Sequence, residues 1–372
     1  MRIILSGGGT GGHINPALAI AREVQKREPD SAILFCGGTG GLEEKLVPRE
    51  GFALKTFTVH GFRRKLTPSG IAHNIKAFSE SQAAMRQAKQ IIRDFKPDVV
   101  VGCGGYASYP IVKAAQTMKV PTALLEVNAY PGVTTKTLAG KCGALMICFE
   151  KTKEYFPNAP IVMTGSPVRG AFATVEREAA RKTLGLDERP LIVSVWGSLG
   201  AERMNHAMVD FIGEESKSDR HQLIHAIGSY GYSWVRDDIA KAGVDLKKHP
   251  NIQVMDYIYN MPEVMAAADL ILCRGGAATL AELAFMGKPA IIVPSPNVAE
   301  NHQEKNARAL EAGGGAVVLL DSDADGKTLY KMAEELLSQP EKLDAMGKAM
   351  KTFATRDAIG QIYDCIRRIA AK

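Results

Sequence analysis

The stretch from Leu270 to Pro294 constrains the fold more than any other part of this chain. It opens with a short apolar run, Leu270 to Cys273, which is typical of a buried strand. After a glycine turn, the residues from Ala277 to Met286 are rich in helix formers. Gly287 is expected to end that helix, and the apolar run Ala290 to Val293 predicts the next strand. The segment therefore predicts a strand–helix–strand unit of a parallel α/β sheet.

The start of this predicted helix is a candidate phosphate site. Its first amide groups, from Ala277, Ala278 and Thr279, have no partner inside the helix, and the positive end of the helix dipole lies behind them. Glu282 lies about one helical turn further along, where a carboxylate is placed to accept hydrogen bonds from ribose hydroxyls. The alternative is a structural turn in which Glu282 only interacts favourably with the helix dipole.

The composition is that of an ordinary globular protein, because 46% of its 372 residues are hydrophobic and 23% are charged. No apolar run approaches the roughly 18 residues that a membrane span needs, and we expect no signal peptide because the first residues already predict a strand and a glycine loop. The six cysteines are scattered without a CxxC pair, which favours reduced thiols in a cytoplasmic protein. A net charge of +6 permits attraction to anionic membranes but does not imply nucleic acid, and we expect no nucleic-acid partner.

The order of the patterns predicts two domains. Strand and helix patterns alternate through the first half of the chain, and the alternation restarts at Pro190. The charged stretch from Pro167 to Arg189 has no strand pattern, so we expect one domain over residues 1–166 and a second over residues 167–355. The last helix, within residues 356–372, is expected to pack back onto the first domain. The predicted fold class is α/β, with two Rossmann-like domains.

A bare glycine loop, Ser6 to His13, follows the first predicted strand. Gly7, Gly9 and Gly12 satisfy the GxGxxG pattern of dinucleotide-binding domains, but the second predicted strand lacks the terminal acidic residue that this pattern requires. Glycine backbone allows a ligand to approach closely. His13 is therefore a candidate general base, and the alternative is a residue that points into solvent at the start of a helix.

Two further glycine turns follow predicted strands, Gly102 to Tyr106 and Gly197 to Ala201. In parallel sheets, ligands bind outside the carboxyl ends of the strands. We expect the two sheets to face each other across a deep cleft, with glycine loops on both walls. Ser198 is a candidate donor to a phosphate oxygen, and Arg169 is a candidate diphosphate contact or, alternatively, a surface charge.

The sequence predicts neither a metal site nor a cofactor. The run from Asp321 to Gly326 opens like a calcium loop, but the twelfth position is Met332 instead of Glu, so we expect these acids to cap the helix that starts near Lys327. His221 and His225 lie in a strand pattern, where zinc is not expected.

The segment from Gly61 to Phe78 combines basic and apolar residues. Its apolar members are spaced four and three apart, so they share one helix face. Such a face, ringed with cations, suits an anionic bilayer, and the alternative is a core-facing helix with a basic solvent side. The predicted membrane contacts are Arg63, Arg64, Lys65, Ile71, Ile75, Lys76 and Phe78.

Motifs along the whole chain resemble those of one bacterial enzyme family. They are Gly8–His13, Gly104–Ser108, Asn128–Gly132, Thr164–Arg169, Gly197–Ala201, Cys273–Arg274, Gly276–Ala277, Thr279, Glu282 and His302–Asn306. Together they resemble the MurG family, which adds N-acetylglucosamine to lipid I to make lipid II for peptidoglycan. The resemblance implies the two-domain GT-B fold, UDP-N-acetylglucosamine as donor, and no metal or cofactor.

The resemblance also implies site residues. In that picture Ile258 holds the uracil through its backbone and Glu282 holds the ribose. The implied acceptor side is Gly104, Gly105, Tyr106 and Ser108. The implied donor contacts are Thr10, Gly11, Gly12, Asn128, Arg169, Ser198, Ile258, Ala277, Ala278, Thr279, Leu280, Ala281, Glu282 and Gln303.

The implied acceptor, lipid I, is a polyprenyl lipid, so we expect a peripheral protein on the cytoplasmic face of the bacterial cell membrane. Its expected partners are UDP-N-acetylglucosamine, lipid I, an anionic membrane surface, and proteins of the cell-wall or division machinery. Alternatives are another GT-B enzyme that uses a UDP-sugar (a glycolipid glycosyltransferase or an epimerase), a nicotinamide oxidoreductase, or a non-catalytic nucleotide-sugar sensor.

The sequence departs from the family at three places. The family's usual His-Glu-Gln-Asn is replaced by the run Leu125 to Asn128, Tyr109 replaces a small residue, and Gly275 replaces a serine. The first two lie in the predicted acceptor-side domain, so they concern acceptor geometry more than donor identity.

Replacing Arg63, Arg64, Lys65 and Lys76 together by Gln is expected to abolish binding to anionic vesicles. Each cation contributes about 1 kcal/mol near an anionic leaflet, and salt screens that attraction. Vesicle co-sedimentation measures the loss, and UDP affinity should stay unchanged. Unaltered vesicle binding by the folded variant would assign this helix to the core.

Overall fold

The computed structural model describes residues 1–59, 68–197 and 199–371, apart from the side chains of residues 68–79, 81 and 299. The chain divides into two compact units. Unit 1 comprises Met1–Val168 and Thr355–Lys372, and unit 2 comprises Arg169–Ala354. No helix among the described residues is long and apolar enough to cross a bilayer.

Within the described residues, each unit contains one parallel β-sheet, of seven strands in unit 1 and six in unit 2. The strands of unit 1 are β1 Arg2–Ser6, β2 Ala32–Gly38, β3 Ala53–Phe57, β4 Val99–Gly102, β5 Thr122–Glu126, β6 Ala144–Ile147 and β7 Ile161–Met163. The strands of unit 2 are β8 Leu191–Val195, β9 Gln222–Ala226, β10 Ile252–Met255, β11 Leu270–Cys273, β12 Ala290–Ile292 and β13 Ala316–Val318.

Helices connect these strands. The first five are α1 Gly11–Arg27, α2 Glu43–Arg49, α3 Pro68–Phe95, α4 Tyr109–Thr117 and α5 Val133–Leu138. The next are α6 Arg177–Thr183, α7 Glu202–Ser218, α8 Val235–Lys241, α9 Met261–Ala267 and α10 Ala277–Met286. The last are α11 His302–Ala312, α12 Gly326–Leu337, α13 Pro340–Lys351 and α14 Ala358–Ala370.

Both sheets have the strand order of a doubly wound fold. The order is β3-β2-β1-β4-β5-β6-β7 in unit 1 and β10-β9-β8-β11-β12-β13 in unit 2. The order reverses direction between β1 and β4 and between β8 and β11, and ligands bind at the carboxyl ends of strands at such a switch point. The predicted α/β class with two Rossmann-like domains is confirmed.

Central strands of both sheets are continuous apolar runs because helices cover both faces. Ile3, Ile4 and Leu5 are fully buried, as are all four residues of β11. The sequence patterns predicted these strands. They did not predict β3, whose first four residues alternate between exposed and half-buried at the edge of the sheet.

Helix α10 begins at Ala277 and ends at Met286, as its sequence predicted. It ends because Gly287 takes a left-handed conformation, with φ at 65°, which glycine adopts at little cost. A Cβ at this position would also lie 2.5 Å from the Lys351 side chain. The segment from Leu270 to Pro294 therefore forms the predicted strand–helix–strand unit.

The membrane-contact prediction falls largely outside this description. Arg63, Arg64 and Lys65 lie outside the described residues. The backbone of the other predicted contacts belongs to α3, but their side chains are not described, so the contact stays a prediction. These are Ile71, Ile75, Lys76 and Phe78.

Helix α14 is part of unit 1, where it packs against α1 and the central strands. Ile362 and Ile366 on its apolar face are fully buried. Tyr363 donates from its hydroxyl to Glu28 at 2.7 Å, and the amino terminus of Met1 is 2.9 Å from the same carboxylate. Both chain ends are thus held at one place in unit 1.

Replacing Ile366 by Ala is expected to lower the free energy of unfolding by about 2–4 kcal/mol, because it removes a fully buried side chain and leaves a cavity. Urea unfolding measures the change, with the exposed Arg368→Ala as control, for which the shift should stay within about 0.5 kcal/mol. Equal midpoints for the two variants would contradict a stabilising role for the Ile366 side chain.

Candidate active site

The amino terminus of α10 lies at the switch point of unit 2, where β11 ends beside β8. Gly276 is extended at the cap position, and its carbonyl accepts the N–H of Leu280 at 3.0 Å. The N–H groups of Ala277, Ala278 and Thr279 precede the first intrahelical bond, and none of the residues in this first turn is acidic. The geometry is that of an anion-binding helix terminus.

Leu280 differs from its neighbours in α10, because its side chain is 1% exposed and lies in the core. The side chains of Ala277, Ala278, Thr279, Ala281 and Glu282 are half-buried at the surface of unit 2. The structure therefore gives Leu280 a packing role, and its predicted donor contact stays a prediction.

Beside this helix terminus, the loops after β8 and β9 pack backbone against backbone. A Cβ on Gly200 would lie 2.1 Å from the carbonyl oxygen of Ile227, and its φ is +77°. Gly228, with φ at +64°, is packed equally closely against Gly200. Only glycine fits both positions, so this edge of the sheet presents bare backbone. Ser198, a predicted phosphate donor in the same loop, lies outside the described residues.

Two residues predicted separately as donor contacts form an ion pair. Arg169 donates from Nε and Nη2 to Oε1 of Glu282, at 3.3 and 3.1 Å. The Glu282 side chain is 17% exposed and that of Arg169 is 50% exposed, and the guanidinium carbon lies 5.1 Å from the centre of the Phe172 ring. Burial raises the pKa of Glu282, and the Arg169 charge counteracts this. Both bonds use Oε1, and neither uses Oε2.

Gln303 and Ile258 also lie at the carboxyl edge of the sheet in unit 2. Gln303, in the first turn of α11, accepts the N–H of Ser295 through Oε1 at 2.9 Å, which fixes its side-chain amide. Ile258 follows β10, and its buried side chain fixes the backbone between Tyr257 and Tyr259. Ile258 thus follows the end of β10, and Gln303 lies in the helix that follows β12.

Gly275, which replaces the family's usual serine, permits a close contact. A Cβ at this position would lie 2.4 Å from the carbonyl oxygen of Gln303. A serine here would require the start of α11 to shift, so the departure fits the local packing of this chain.

In unit 1, the glycine loops after β1 and β4 meet at the other switch point. A Cβ on Gly105 would lie 2.3 Å from the carbonyl oxygen of Gly8. The hydroxyls of Ser108 and Thr134 donate to the Gly105 carbonyl at 2.9 and 3.3 Å, and Tyr106 is 47% exposed. The structure brings the predicted acceptor-side residues together with the loop that carries His13.

His13 lies in the first turn of α1 and is half-buried, so it does not simply extend into solvent. Its Nδ1 is 3.2 Å from the Gly8 carbonyl and 3.2 Å from the Thr10 hydroxyl. The ring lies against Gly104, where a Cβ would be 2.7 Å from Cδ2. Gly11 and Gly12 begin the same helix. These contacts fix the orientation of the imidazole.

Glu126 is a site residue that the sequence analysis did not single out. It is 4% exposed, and Oε1 accepts both the N–H and the side-chain amide of Asn128 at 3.1 Å. Oε2 accepts from the Thr135 hydroxyl at 2.6 Å and from the Gly132 N–H at 3.0 Å. A charged residue within the apolar run of β5 was the available signal. Glu126 therefore positions Asn128, a predicted donor contact.

The departures beside Glu126 are core residues. Leu125 and Val127 are 1% and 3% exposed, where the family usually carries polar side chains. The structure thus assigns these two positions to packing within unit 1.

The residues considered for metals have other roles. Asp325 caps α12, accepting the N–H and the hydroxyl of Thr328 at 2.8 Å each, which confirms the predicted capping and lowers the pKa of that aspartate. Burial lowers the pKa of His225 to about 4, and its Nδ1 lies 3.1 Å from the Ser194 hydroxyl. In the described part of the chain, no cluster of three or more His, Cys, Asp or Glu side chains forms a metal site.

Two family models match the chain. The glycosyltransferase family 28 N-terminal domain matches residues 3–147, and the glycosyltransferase family 28 C-terminal domain matches residues 191–362. The chain belongs to glycosyltransferase family 28.

Relatives within the family are similar over their whole length. A protein of Acetivibrio thermocellus, 43% identical over 99% of this chain and 98% of its own, is named UDP-N-acetylglucosamine--N-acetylmuramyl-(pentapeptide) pyrophosphoryl-undecaprenol N-acetylglucosamine transferase. A protein of Listeria welshimeri with the same name is 38% identical over 98% of this chain and 99% of its own.

Solved structures are also similar. The crystal structure of MurG from Acinetobacter baumannii has a TM-score of 0.77 and 26% identity, with 99% of each chain covered. A putative UDP-N-acetylglucosamine 2-epimerase from Listeria monocytogenes, with a TM-score of 0.67 and 15% identity over 98% of this chain and 95% of its own, shares the fold. These matches confirm the resemblance to MurG and the GT-B fold.

Replacing Glu282 by Ala is expected to weaken binding of UDP-N-acetylglucosamine by about 1.5–3 kcal/mol, because a charged hydrogen-bond partner of the ribose is lost. Calorimetric titration measures the affinity, and thermal unfolding should change little. The exposed Glu341→Ala on α13 is the matched control. Equal donor affinity in the two variants would refute the ribose assignment.

Proposed function

We propose that the protein transfers N-acetylglucosamine from UDP-N-acetylglucosamine to the 4-hydroxyl of the muramyl sugar in lipid I, which gives lipid II. The observation that carries this proposal is the amino terminus of α10 at the switch point of unit 2, with Glu282 further along the same helix. The names of the full-length relatives supply the sugar and the acceptor.

In this proposal unit 2 binds the uridine diphosphate part of the donor. The diphosphate accepts hydrogen bonds from the α10 amides, and Arg169 exchanges part of its contact with Glu282 for the phosphate oxygens. Glu282 then accepts from the ribose hydroxyls, and the backbone at Ile258 pairs with the uracil. The helix terminus and the guanidinium stabilise the negative charge that develops on UDP as it leaves.

The reaction is a single displacement with inversion. The acceptor oxygen attacks the anomeric carbon while the bond between that carbon and the UDP oxygen breaks. The hydroxyl proton moves to Nε2 of His13, because Nδ1 faces the Gly8 carbonyl. The acceptor is assigned to the loop of unit 1 that contains Gly104, Gly105 and Tyr106.

The chemistry of the proposed acceptor also supports a membrane location for the protein. Lipid I has a polyprenyl tail, so the protein is proposed to bind an anionic membrane surface from the cytoplasmic side, through the basic-apolar segment that ends at Phe78. Proteins of the cell-wall or division machinery remain proposed partners.

The alternative from the same fold is an epimerase that acts on the donor alone, because structures named as UDP-N-acetylglucosamine 2-epimerases share the fold at 14–15% identity. Incubation with UDP-N-acetylglucosamine and a lipid I analogue distinguishes them. A transferase forms a glycosylated lipid and releases one UDP for each lipid that it glycosylates. Epimerised UDP-sugar without a glycosylated lipid would overturn the proposal, as would stabilisation by NAD but not by UDP.

Turnover is expected to continue in EDTA, since helix amides and Arg169 supply the positive charge that a metal would otherwise provide. The initial rate of UDP release, with and without chelator, measures this. Activity that EDTA abolishes and magnesium or manganese restores would contradict the metal-independent site.

A further inference from the structure

Glu43 is a buried carboxylate among the glycine loops of unit 1. It is the first residue of α2 and is 1% exposed. Its Oε1 accepts the N–H of Gly38 at 2.7 Å, and its Oε2 accepts the N–H of Gly9 at 3.2 Å. The carboxylate therefore ties the end of β2 to the loop that follows β1.

The neighbouring glycines leave space for this carboxylate. A Cβ on Gly8 would lie 2.3 Å from Oε1, and a Cβ on Gly41 would lie 2.4 Å from Oε2. A Cβ on Gly37 would lie 2.6 Å from the Glu43 Cγ. Bare amides of such loops bind an external phosphate in dinucleotide-binding domains. Here the amides of Gly9 and Gly38 bind an anion of the protein itself, which accounts for a GxGxxG pattern without the acidic ribose ligand.

The peptide between Gly8 and Gly9 connects Glu43 to His13. Its N–H donates to Glu43, and its carbonyl, on the other side of the same planar unit, lies 3.2 Å from the His13 Nδ1. A carbonyl oxygen only accepts, so Nδ1 carries the proton in this contact. The neutral ring then has its lone pair on Nε2, and the nearby Thr10 hydroxyl adapts to either role.

We propose that Glu43 is a positioning residue that acts through the Gly8–Gly9 peptide to hold His13 in its Nδ1–H tautomer. The inference rests on the proposed function for the role of His13 as base, but the tautomer itself does not. A charge-assisted bond to the N–H polarises the peptide and makes its carbonyl a stronger acceptor. In that tautomer the lone pair lies on Nε2, the nitrogen to which the proposed function assigns the acceptor's proton.

A residue that only fills space would behave differently from one that acts by charge. Glu43→Gln keeps the size and shape of the side chain but removes the negative charge, and its amide has one acceptor oxygen where the carboxylate has two. Glu44, the next residue, is exposed. Glu44→Gln is therefore a matched control with the same chemical change on the same helix.

The first measurement is the ¹⁵N chemical shifts of the His13 ring in full-length protein labelled at histidine, assigned with His13→Gln. The wild type and Glu44→Gln are expected to show the Nδ1–H tautomer in the neutral ring, and Glu43→Gln is expected to shift the ring toward the Nε2–H tautomer. With UDP-N-acetylglucosamine and a lipid I analogue, Glu43→Gln should lose about 10–100-fold in kcat, part of what a general base contributes. The KM for UDP-N-acetylglucosamine should stay within about twofold of the wild type, because the uridine diphosphate part of the donor is proposed to bind unit 2.

The outcomes separate the two proposals. An Nε2–H tautomer in the wild type overturns the role of Glu43, and this holds even if Glu43→Gln does not fold. Equal ring shifts and equal kcat in Glu43→Gln and Glu44→Gln overturn it as well. A wild type with the expected tautomer but no transfer to the lipid I analogue overturns the proposed function alone.

Discussion

The loops at the carboxyl ends of the parallel strands contain backbone N–H groups that have no partner in the sheet, and the arrangement of these loops depends on them. In each sheet, the loops after two neighbouring strands come so close that a single Cβ would collide with a carbonyl, at Gly105 in unit 1 and at Gly200 in unit 2. The close approach forces glycine into the loops, and glycine leaves the amides uncovered. Packing and ligand binding therefore impose the same requirement on the same residues.

The two units differ in the anion that accepts hydrogen bonds from these uncovered amides. In unit 1 a buried carboxylate, Glu43, accepts from the loop amides. In unit 2 the first turn of α10 lacks an acidic side chain, and the carboxylate further along that helix, Glu282, is paired with Arg169. The first arrangement ties a loop to the end of β2, whereas the second is proposed to leave positive potential for a ligand. In this proposal two copies of one architecture perform different tasks.

Sequence reasoning found what local patterns encode. The buried strands and α10 were predictable because continuous apolar runs and a terminal glycine determine them, and the donor-side residues followed from the family resemblance. The edge strand β3 was missed because only one of its five residues is buried, so it has no continuous apolar run. The pairing of Arg169 with Glu282 joins residues 113 positions apart, and Glu43 resembles an ordinary acid at a helix start. Neither contact has a local signature, since the fold alone brings the groups together.

The placement of α14 has a consequence for how the polypeptide can be divided. Because residues from Thr355 onward belong to unit 1, the chain passes from one unit to the other twice. Unit 2 is therefore one continuous segment, Arg169 to Ala354, inserted into unit 1. Unit 2 can complete its sheet as soon as its own residues have left the ribosome. Unit 1 must wait for the last helix of the chain, although it begins with the first residue. Truncation from the carboxyl terminus therefore damages the amino-terminal half of the protein first.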